Sequence, residues 1–577
     1  HRFARSLGYL DWATQPDPFR RYAGAPLFHL PLAQDDTTPP YDAVYAHSQT
    51  VQPVTVETIA RFFECSLALS AWKAYGSERW ALRCNPSSGN LHPTEGYLIA
   101  PPITGLSDQA AVYHYAPKEH ALELRTNFSA EILCESLRAL RLCVKENNNS
   151  TQNLGERRDA HCFFVGLTSI HWREAWKYGE RAFRYCQHDV GHALGALAFA
   201  AAANGWRVVH LVGLGDAEVA RLLGIDRDTD FADAEREHPD LLVAVVPNAA
   251  DARMPQTLDE AVVSAVAAGE WHGQANALSA ERVEWEIIDA VAEATVKPSG
   301  FSARDEESSA VALPPHGLEA RATTHATRLT LQQITKQRRS AVAMDGRTPL
   351  SRDAFYTMLA RTMPSAGAFP WDVLGPPHYL HLALFVHRVD DLPPGLYMLV
   401  RDAARADIVR KAMTKKHDWT TPHSCPAALP LYRLQEEDCR NVAAQVSCTQ
   451  EIAGDGAFSL GMIAEFERAL DELGPWAYRR LFWESGLIGQ VLYLEAEAAG
   501  VRATGIGCYF DDAVHQVFGF DGRAWQSMYH FTVGGPVDDW RLQTESPYPR
   551  DRAPIRGWST DDAPREGERP REPGPTT

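Results

Sequence analysis

One pattern of apolar and polar positions runs through the chain twice. Ala193 to Ala203 is an unbroken apolar run, too short for a membrane crossing, and reads as a packed helix. It closes near Gly205, where a helix C-terminus calls for a left-handed residue. A short strand-like segment follows, then Asp216 opens a second amphipathic helix that ends on Gly224. The same order of features surrounds Gly486 to Asp521. Gly191, Leu197, Ala201, Ala203, Gly205, Arg207, Asp216, Val219, Gly224 and Asp226 recur as Gly486, Leu492, Ala496, Ala498, Gly500, Arg502, Asp511, Val514, Gly519 and Asp521, at a constant spacing of 295 residues.

Two further parallels lie upstream. Pro86-Ser87-Ser88-Gly89 matches Pro364-Ser365-Ala366-Gly367, each after a helical pattern (Thr58 to Trp72; Ser351 to Arg361) and before a strand-like run. Val112-Tyr113-His114-Tyr115 matches Gly395-Leu396-Tyr397-Met398, and insertions after Tyr397 shift the spacing. The chain therefore reads as two copies of one α+β unit. The expected division is an N-terminal arm (1–49), a front domain (50–295), a Pro/Ser/Glu/Ala-rich linker (296–324), a back domain (325–545) and a polar tail (546–577) expected to be disordered. Such a duplication mimics a two-fold dimer within one chain and places sites where the halves meet. The Trp and Tyr stripes in 476–493 read as core or interface.

Composition narrows the function classes. The chain has 577 residues, 45% apolar and 23% charged, values of a globular protein with a large core. A net charge of −18 opposes nucleic-acid binding. No apolar stretch is long enough for a membrane span, and His1-Arg2-Phe3-Ala4-Arg5 has no apolar signal core, so no membrane partner is expected. Ten cysteines without a CxxC pair read as mostly buried, reduced thiols in a cytoplasmic protein. Cys186, His188 and His192 hint at zinc, but Cys186 leaves the helical face the two histidines share, and no metal is expected. Gly213-Leu214-Gly215 resembles a dinucleotide loop, but Glu218 stands at the third glycine position.

Two segments carry candidate chemistry. Arg83 to Glu95 holds two prolines, a glycine and several hydroxyl or amide side chains, suited to a flat heteroaromatic ring or an anion; the alternative is an ordinary surface turn. Lys336-Gln337-Arg338-Arg339-Ser340 places two guanidiniums beside a hydroxyl, able to clamp a phosphate; the alternative is a solvated basic cluster at a helix end.

Together these segments, with the turn Gly505-Ile506-Gly507 after a long helix, resemble the FMN-dependent nitroreductase superfamily. Asn85 to Glu95, Trp176 to Tyr185 and Asp189-Val190-Gly191-His192 are more specifically similar to its SagB/ThcOx-type dehydrogenase branch, which includes azoline dehydrogenases of peptide natural-product pathways. The resemblance spans roughly residues 50–250 and 330–545. It implies two fused nitroreductase-like domains forming an intramolecular pseudo-dimer, with FMN between them.

By that resemblance, one site combines Arg338, Arg339, Ser340, Gly505, Ile506 and Gly507 with Pro86, Ser87, Ser88 and Asn90 of the other half, and Arg541 completes the phosphate pocket. The mirror site would combine Arg20-Arg21-Tyr22 and His210-Leu211-Val212 with Pro364 to Ala368. Its bulky residues in place of the turn glycines predict one intact and one degenerate site. Lys177-Tyr178 matches a Lys-Tyr pair that the branch uses in proton abstraction, and Ala477-Tyr478 stands as its counterpart in the back half; the alternative is a surface lysine beside a packed tyrosine. His92 and Tyr185 are candidate substrate-pocket residues. The resulting expectation is a SagB-type dehydrogenase passing hydride from a small-molecule or peptide-derived substrate to FMN, with dioxygen as electron acceptor. The alternatives are an NAD(P)H-fed nitro or quinone reductase, or a non-catalytic binding protein with a vestigial flavin site. The chain is expected to act as a monomeric pseudo-dimer or a higher homo-oligomer.

Overall fold

Two helices of 22 residues, Ala182–Ala203 and Ala477–Ala498, form the centre of the computed structural model, which describes residues 4–6, 8–46, 49–139, 162–248, 256–300, 327–364, 369–549 and 558–559. Both helices are buried almost along their whole length, which explains why neither shows a polar face in the sequence. They cross at Gly191 and Gly486, the first pair of the 295-residue repeat. A Cβ on Gly191 would collide with the Trp483 carbonyl oxygen and stand 2.8 Å from the Gly486 Cα. A Cβ on Gly486 would collide with the His188 carbonyl oxygen. The backbones thus approach more closely than any other residue type permits.

Each helix packs on the inner face of its own antiparallel sheet. In the front half the strands run Leu27–His29, Ala121–Phe128, Ala110–Ala116, Thr94–Ala100, Phe163–Ser169, His238–Pro247, Trp206–His210, with Trp558–Ser559 added at the Leu27 edge. The back half repeats the last six positions with Leu431–Glu436, Gly395–Leu399, Leu380–Val386, Phe458–Glu465, Trp525–Gly534 and Arg502–Ile506. The central strands are buried on both faces, so they read as continuous apolar runs rather than alternating ones. One apolar core crosses from half to half through the two long helices, and each sheet has a second core on its outer face.

The repeat extends to details. Helices Asp216–Leu223 and Asp511–Phe518 keep the 295-residue spacing and close on left-handed Gly224 and Gly519. Gly205 and Gly500 have φ of 67° and 74°, as a helix C-terminus requires.

Several expectations are corrected. The helix expected over Thr58 to Trp72 is Val56–Glu64, held at its start by a Thr55–Thr58 capping box; Leu69–Tyr75 and Glu78–Arg83 then form a hairpin around Gly76. The Gly-Ser turn between the two apolar-polar runs was the available signal. The N-terminal arm is part of the front half: Leu27–His29 joins the sheet, and Tyr41 and Val44 are fully buried. Of the expected linker, Lys297 is buried, its ammonium donating to the Val212 and Leu214 carbonyls, and 301–324 lie outside the described residues. The tail does not leave the fold at residue 546. Tyr548 is buried and donates to the Pro117 carbonyl at 2.7 Å, and Trp72 Nε1 donates to the Pro547 carbonyl at 3.0 Å. A single aromatic in a polar segment is enough to anchor it. Among the described residues, Cys65, Cys84, Cys162, Cys186 and Cys439 are buried thiols, but Cys448 and Cys508 form a disulfide across 60 residues. Among the described residues no helix is long and apolar enough to cross a membrane.

Gly191→Ala and Gly486→Ala should each destabilise the protein by about 1–3 kcal/mol through overpacking at the crossing. The double variant should lose less than the sum, because both methyl groups strain the same contact. Urea midpoints measure both, and unchanged midpoints would mean that the helices do not meet there.

Candidate active site

The basic segment of the back half touches the polar loop of the front half directly. Helix Leu331–Gln337 ends at Arg338, whose buried guanidinium donates to the Cys84 carbonyl at 3.3 Å and the Arg83 carbonyl at 3.2 Å, just before Pro86. Arg339 donates from its backbone to Glu497 at 3.0 Å, and from its side chain to Ser70 Oγ at 3.3 Å and to the Lys336 and Arg338 carbonyls. Ser340 lies beside Ala503, and its hydroxyl is 2.8 Å from the Tyr493 hydroxyl, which also accepts the Gly505 N–H at 3.0 Å. Arg338, Arg339, Ser340 and Gly505 therefore share one end of a crevice between the halves. Ile506 is buried in the outer core of the back sheet.

This end carries excess positive charge. Burial, with Arg338 alongside, holds the Arg339 guanidinium down to about 10, and burial also lowers Arg338. Lys73, on the hairpin, is lowered by burial and by the nearby Arg339 and Arg502. Of the nearby carboxyls, Glu497 is raised by burial and Asp538 is paired with Arg502. Clustered cations with too few carboxylates suit a phosphate. Lys73 lies just past the helix expected over Thr58 to Trp72, and only the Leu69–Arg83 hairpin brings it to this end.

The front loop is braced by its own polar groups. Gly89, Asn90 and His92 have φ of 60°, 59° and 52°. Ser87 Oγ accepts the His92 N–H at 2.8 Å, Asn90 Oδ1 lies 2.9 Å from His92 Nε2, and Asn90 Nδ2 donates to the Ala81 carbonyl at 2.8 Å. Asn90 and His92 thus hold the loop's shape, with Pro86 buried beneath it. Burial, with Arg83 and Arg173 nearby, keeps the His92 imidazole neutral. Ser88 N–H donates to Asp189 Oδ1 at 3.2 Å. Asp189 Oδ2 and both oxygens of Glu174 are buried without a hydrogen-bond partner among the described residues. Burial raises both carboxyls well above the ordinary range, and each raises the other's cost of ionising.

An aromatic wall connects the loop to the arginines. A Cβ on Gly89 would collide with the Tyr178 hydroxyl. Tyr178 and Tyr185 meet edge to face at 4.7 Å, and a Cβ on Gly507 would stand 2.8 Å from Tyr185 Cζ. His188 stacks on Tyr529 at 4.0 Å; His192 Nε2 is 3.3 Å from the Tyr529 hydroxyl, and Tyr493 follows at 5.6 Å from the His192 ring. Burial lowers both histidines, His192 to about 3, so both are neutral at neutral pH. Cys186 is buried, and among the described residues no His, Cys, Asp and Glu group is arranged to hold a metal. Lys177 ends the helix His171–Tyr178, its Nζ 5.7 Å from the Tyr178 ring centre, on the loop side of the crevice. Of the wall residues from the back half, Tyr493 belongs to the 476–493 stripe that reads as core or interface, and Tyr529 carries no signal in the sequence beyond that of an ordinary core aromatic.

Arg541 is not brought to the cation cluster. It is half-exposed, bonded to Asp539 at 2.7 Å, and lies over Tyr75. Among the described residues, the mirror position is occupied by side chains bonded to one another and to the backbone. Trp483, at the position equivalent to His188, is fully buried, donates to Gln187 at 2.6 Å and packs against His210 at 5.7 Å. Arg480, equivalent to Tyr185, donates to the Gly375 carbonyl at 2.7 Å. Arg20 pairs with Glu237, Arg21 with Glu119 and Glu123, and Tyr22 pairs with Ala275, none of them at this crevice. Ser365 to Ala368 lie outside the described residues. The counterpart of Lys177-Tyr178 is corrected as well: helix Phe466–Leu473 keeps the 295-residue spacing from His171–Tyr178, so Glu472-Leu473 and not Ala477-Tyr478 stand there.

The buried carboxyl pair predicts a pH dependence. The folded chain holds the Asp189 proton more tightly than the unfolded chain does. The Asp189 contribution to stability is therefore full below the ordinary carboxylate range near about pH 4 and falls away as pH rises to about 7, by at most about 1.4 kcal/mol per pH unit. Urea midpoints compared between about pH 4 and about pH 8 in the parent protein contain this fall. In Asp189→Asn the fall should be smaller; an equal fall would remove Asp189 from its cause.

Known proteins share this fold. The sequence model described as Nitroreductase family matches residues 50–233 and again 336–535. A solved chain from Anabaena variabilis ATCC 29413, assigned as a nitroreductase, superposes with a TM-score of 0.61 at 20% identity, over 92% of this chain and 98% of its own length. A chain of the E. coli microcin synthetase McbBCD complex with truncated pro-MccB17 bound matches over 42% of this chain and 84% of its own, at 16% identity and a TM-score of 0.26. A protein from Exiguobacterium sibiricum 255-15, assigned as a nitroreductase and solved in complex with FMN, matches over 37% and 92%, at 14% identity and a TM-score of 0.22. No curated protein sequence matches the chain significantly. At these identities the structural likeness is one of fold. The two family matches together span more than half of the chain, one on each half of the pseudo-dimer, and the chain belongs to the nitroreductase family as a tandem, α+β member.

Proposed function

We propose that this chain is an FMN-dependent oxidoreductase of the SagB dehydrogenase type, oxidising a peptide-derived or other small-molecule substrate. The observation that carries the reading is one crevice, built from both halves, with clustered cations at one end and Lys177-Tyr178 at the other, while its mirror image is filled by Trp483 and Arg480.

The residues fit FMN. Arg338, Arg339 and Lys73 would hold its phosphate, with Ser340 and Tyr493 beside them. Ser87 and Ser88 offer short donors, and the aromatic wall suits a flat ring. When bound, FMN supplies a hydride acceptor. The protein's own part is to orient the substrate against the Tyr178–Tyr185 wall, exclude water, and take up the substrate proton at Lys177 Nζ or the Tyr178 hydroxyl. The neutral His188 and His192 leave the positive charge near the crevice to the arginines. We further propose a cytoplasmic, monomeric pseudo-dimer, supported by mainly free, buried cysteines and by a crevice that needs no second chain. Dioxygen is the proposed acceptor.

Purified protein should retain one flavin per chain after dialysis, and two would contradict the filled mirror crevice. Arg338→Ala and Arg339→Ala should each weaken FMN binding by about 10–100-fold, the worth of a charge-assisted contact. Lys177→Ala should leave FMN uptake intact and slow anaerobic bleaching of the flavin by a substrate by about 100-fold or more. Steady NADPH consumption with a nitroaromatic acceptor, and no effect of Lys177→Ala, would instead establish the reductase reading. A chain that takes up no flavin would leave a binding protein.

A further inference from the structure

The mouth of the crevice carries two arginines that the proposed chemistry does not use. Arg181 lies with its guanidinium carbon 5.7 Å from the ring centres of both Tyr178 and Tyr185. Arg184 lies 5.8 Å from the Tyr509 ring. Those rings border the site: Tyr178 packs on Gly89 of the polar loop, Tyr185 on Gly507, and Tyr509 follows Gly507 by two residues. Both residues are part-exposed as a whole, with the Arg184 guanidinium set deeper among Tyr509, Tyr478 and Tyr185, and among the described residues neither has a hydrogen-bond acceptor or a carboxylate at ion-pair distance.

The neighbouring carboxyls are otherwise engaged. Glu180 is bonded to Arg5 at 2.8 Å, burial raises the Glu174 carboxyl and disfavours its charged form, and Asp511 acts on Arg184 only from beyond ion-pair distance. Both arginines also sit at the start of helix Ala182–Ala203, an end whose dipole disfavours cations, so helix energetics do not account for them. In a chain with a net charge of −18, this is a local reversal of sign.

We infer that Arg181 and Arg184 form a substrate subsite for an anionic group, a carboxylate or a phosphate, carried by a molecule whose flat or apolar part lies against the tyrosines. Guanidiniums held over aromatic faces keep their N–H edges free for bidentate contact with such a group. The inference rests on the proposed function for the reacting end of the substrate, but the subsite itself consists of residues that touch no part of the cation cluster around Arg339.

The test uses the FMN-loaded protein and three probes of similar size, benzoate, phenyl phosphate and neutral benzamide. Their binding is followed by calorimetry and by perturbation of the flavin spectrum. At least one anion should bind 10-fold or more tightly than benzamide and should weaken as KCl is raised; which anion it is identifies the group. In Arg181→Gln/Arg184→Gln the preference should shrink toward equality, with FMN content and benzamide affinity unchanged, and Arg181→Lys/Arg184→Lys should restore part of it. Equal affinity for all three probes in the parent protein, or a preference that survives the double Gln variant, overturns the subsite. Absence of flavin from the protein overturns the proposed function instead, and calorimetry alone then still decides on the subsite.

Discussion

The contact on which the rest depends is the backbone-to-backbone crossing of the two long helices at Gly191 and Gly486. Without side chains at that point, the helices come close enough for the front and back sheets to share one core. The crevices lie on either side of this crossing, so their width and the meeting of loop with arginines follow from how closely the helices approach. A pseudo-two-fold axis passes through the pair, and it would make both crevices alike if the two halves were identical.

They are not alike, and the difference rests on a few positions. His188 and Tyr185 on the front helix leave an aromatic wall facing Tyr529 and Tyr493. Their counterparts Trp483 and Arg480 reach across the mirror crevice and bond to Gln187 and to the Gly375 carbonyl. Gly505 and Gly507 leave room for Tyr529 and Tyr185, whereas His210 packs on Trp483. Filling one crevice with well-bonded side chains stabilises the fused pair and leaves the other free to keep polar and charged groups that contribute little to packing.

The open crevice is also divided electrically along its length. Cations cluster at the Arg339 end, neutral histidines and buried, protonation-prone carboxyls occupy the middle, and Lys177, Arg181 and Arg184 ring the mouth. Each state has the same origin, burial that penalises charge unless a partner compensates it. Under the proposed function, that ordering would let one cleft take a phosphate, a flat ring and a substrate without placing uncompensated charge between them.

Much of this was legible in the amino acids alone. The 295-residue spacing, the helix-closing glycines and the Arg338–Ser340 and Pro86–Asn90 segments are local patterns, and local patterns survive in a linear reading. They determined that the chain is a duplicated α+β protein, and the family resemblance they carry implied that one half's arginines belong with the other half's loop. Tertiary structure alone decided what distance in sequence conceals. It placed Lys73 in the cation cluster through a hairpin that begins where the sequence pattern still reads as helix, and it turned Asn90 and His92 inward to brace their own loop. It also sent Arg541 to the surface, paired Cys448 with Cys508, and moved the counterpart of Lys177 to Glu472. The reason is physical: a side chain's role depends on which neighbours compensate its charge or fill its space, and those neighbours come from segments hundreds of residues away.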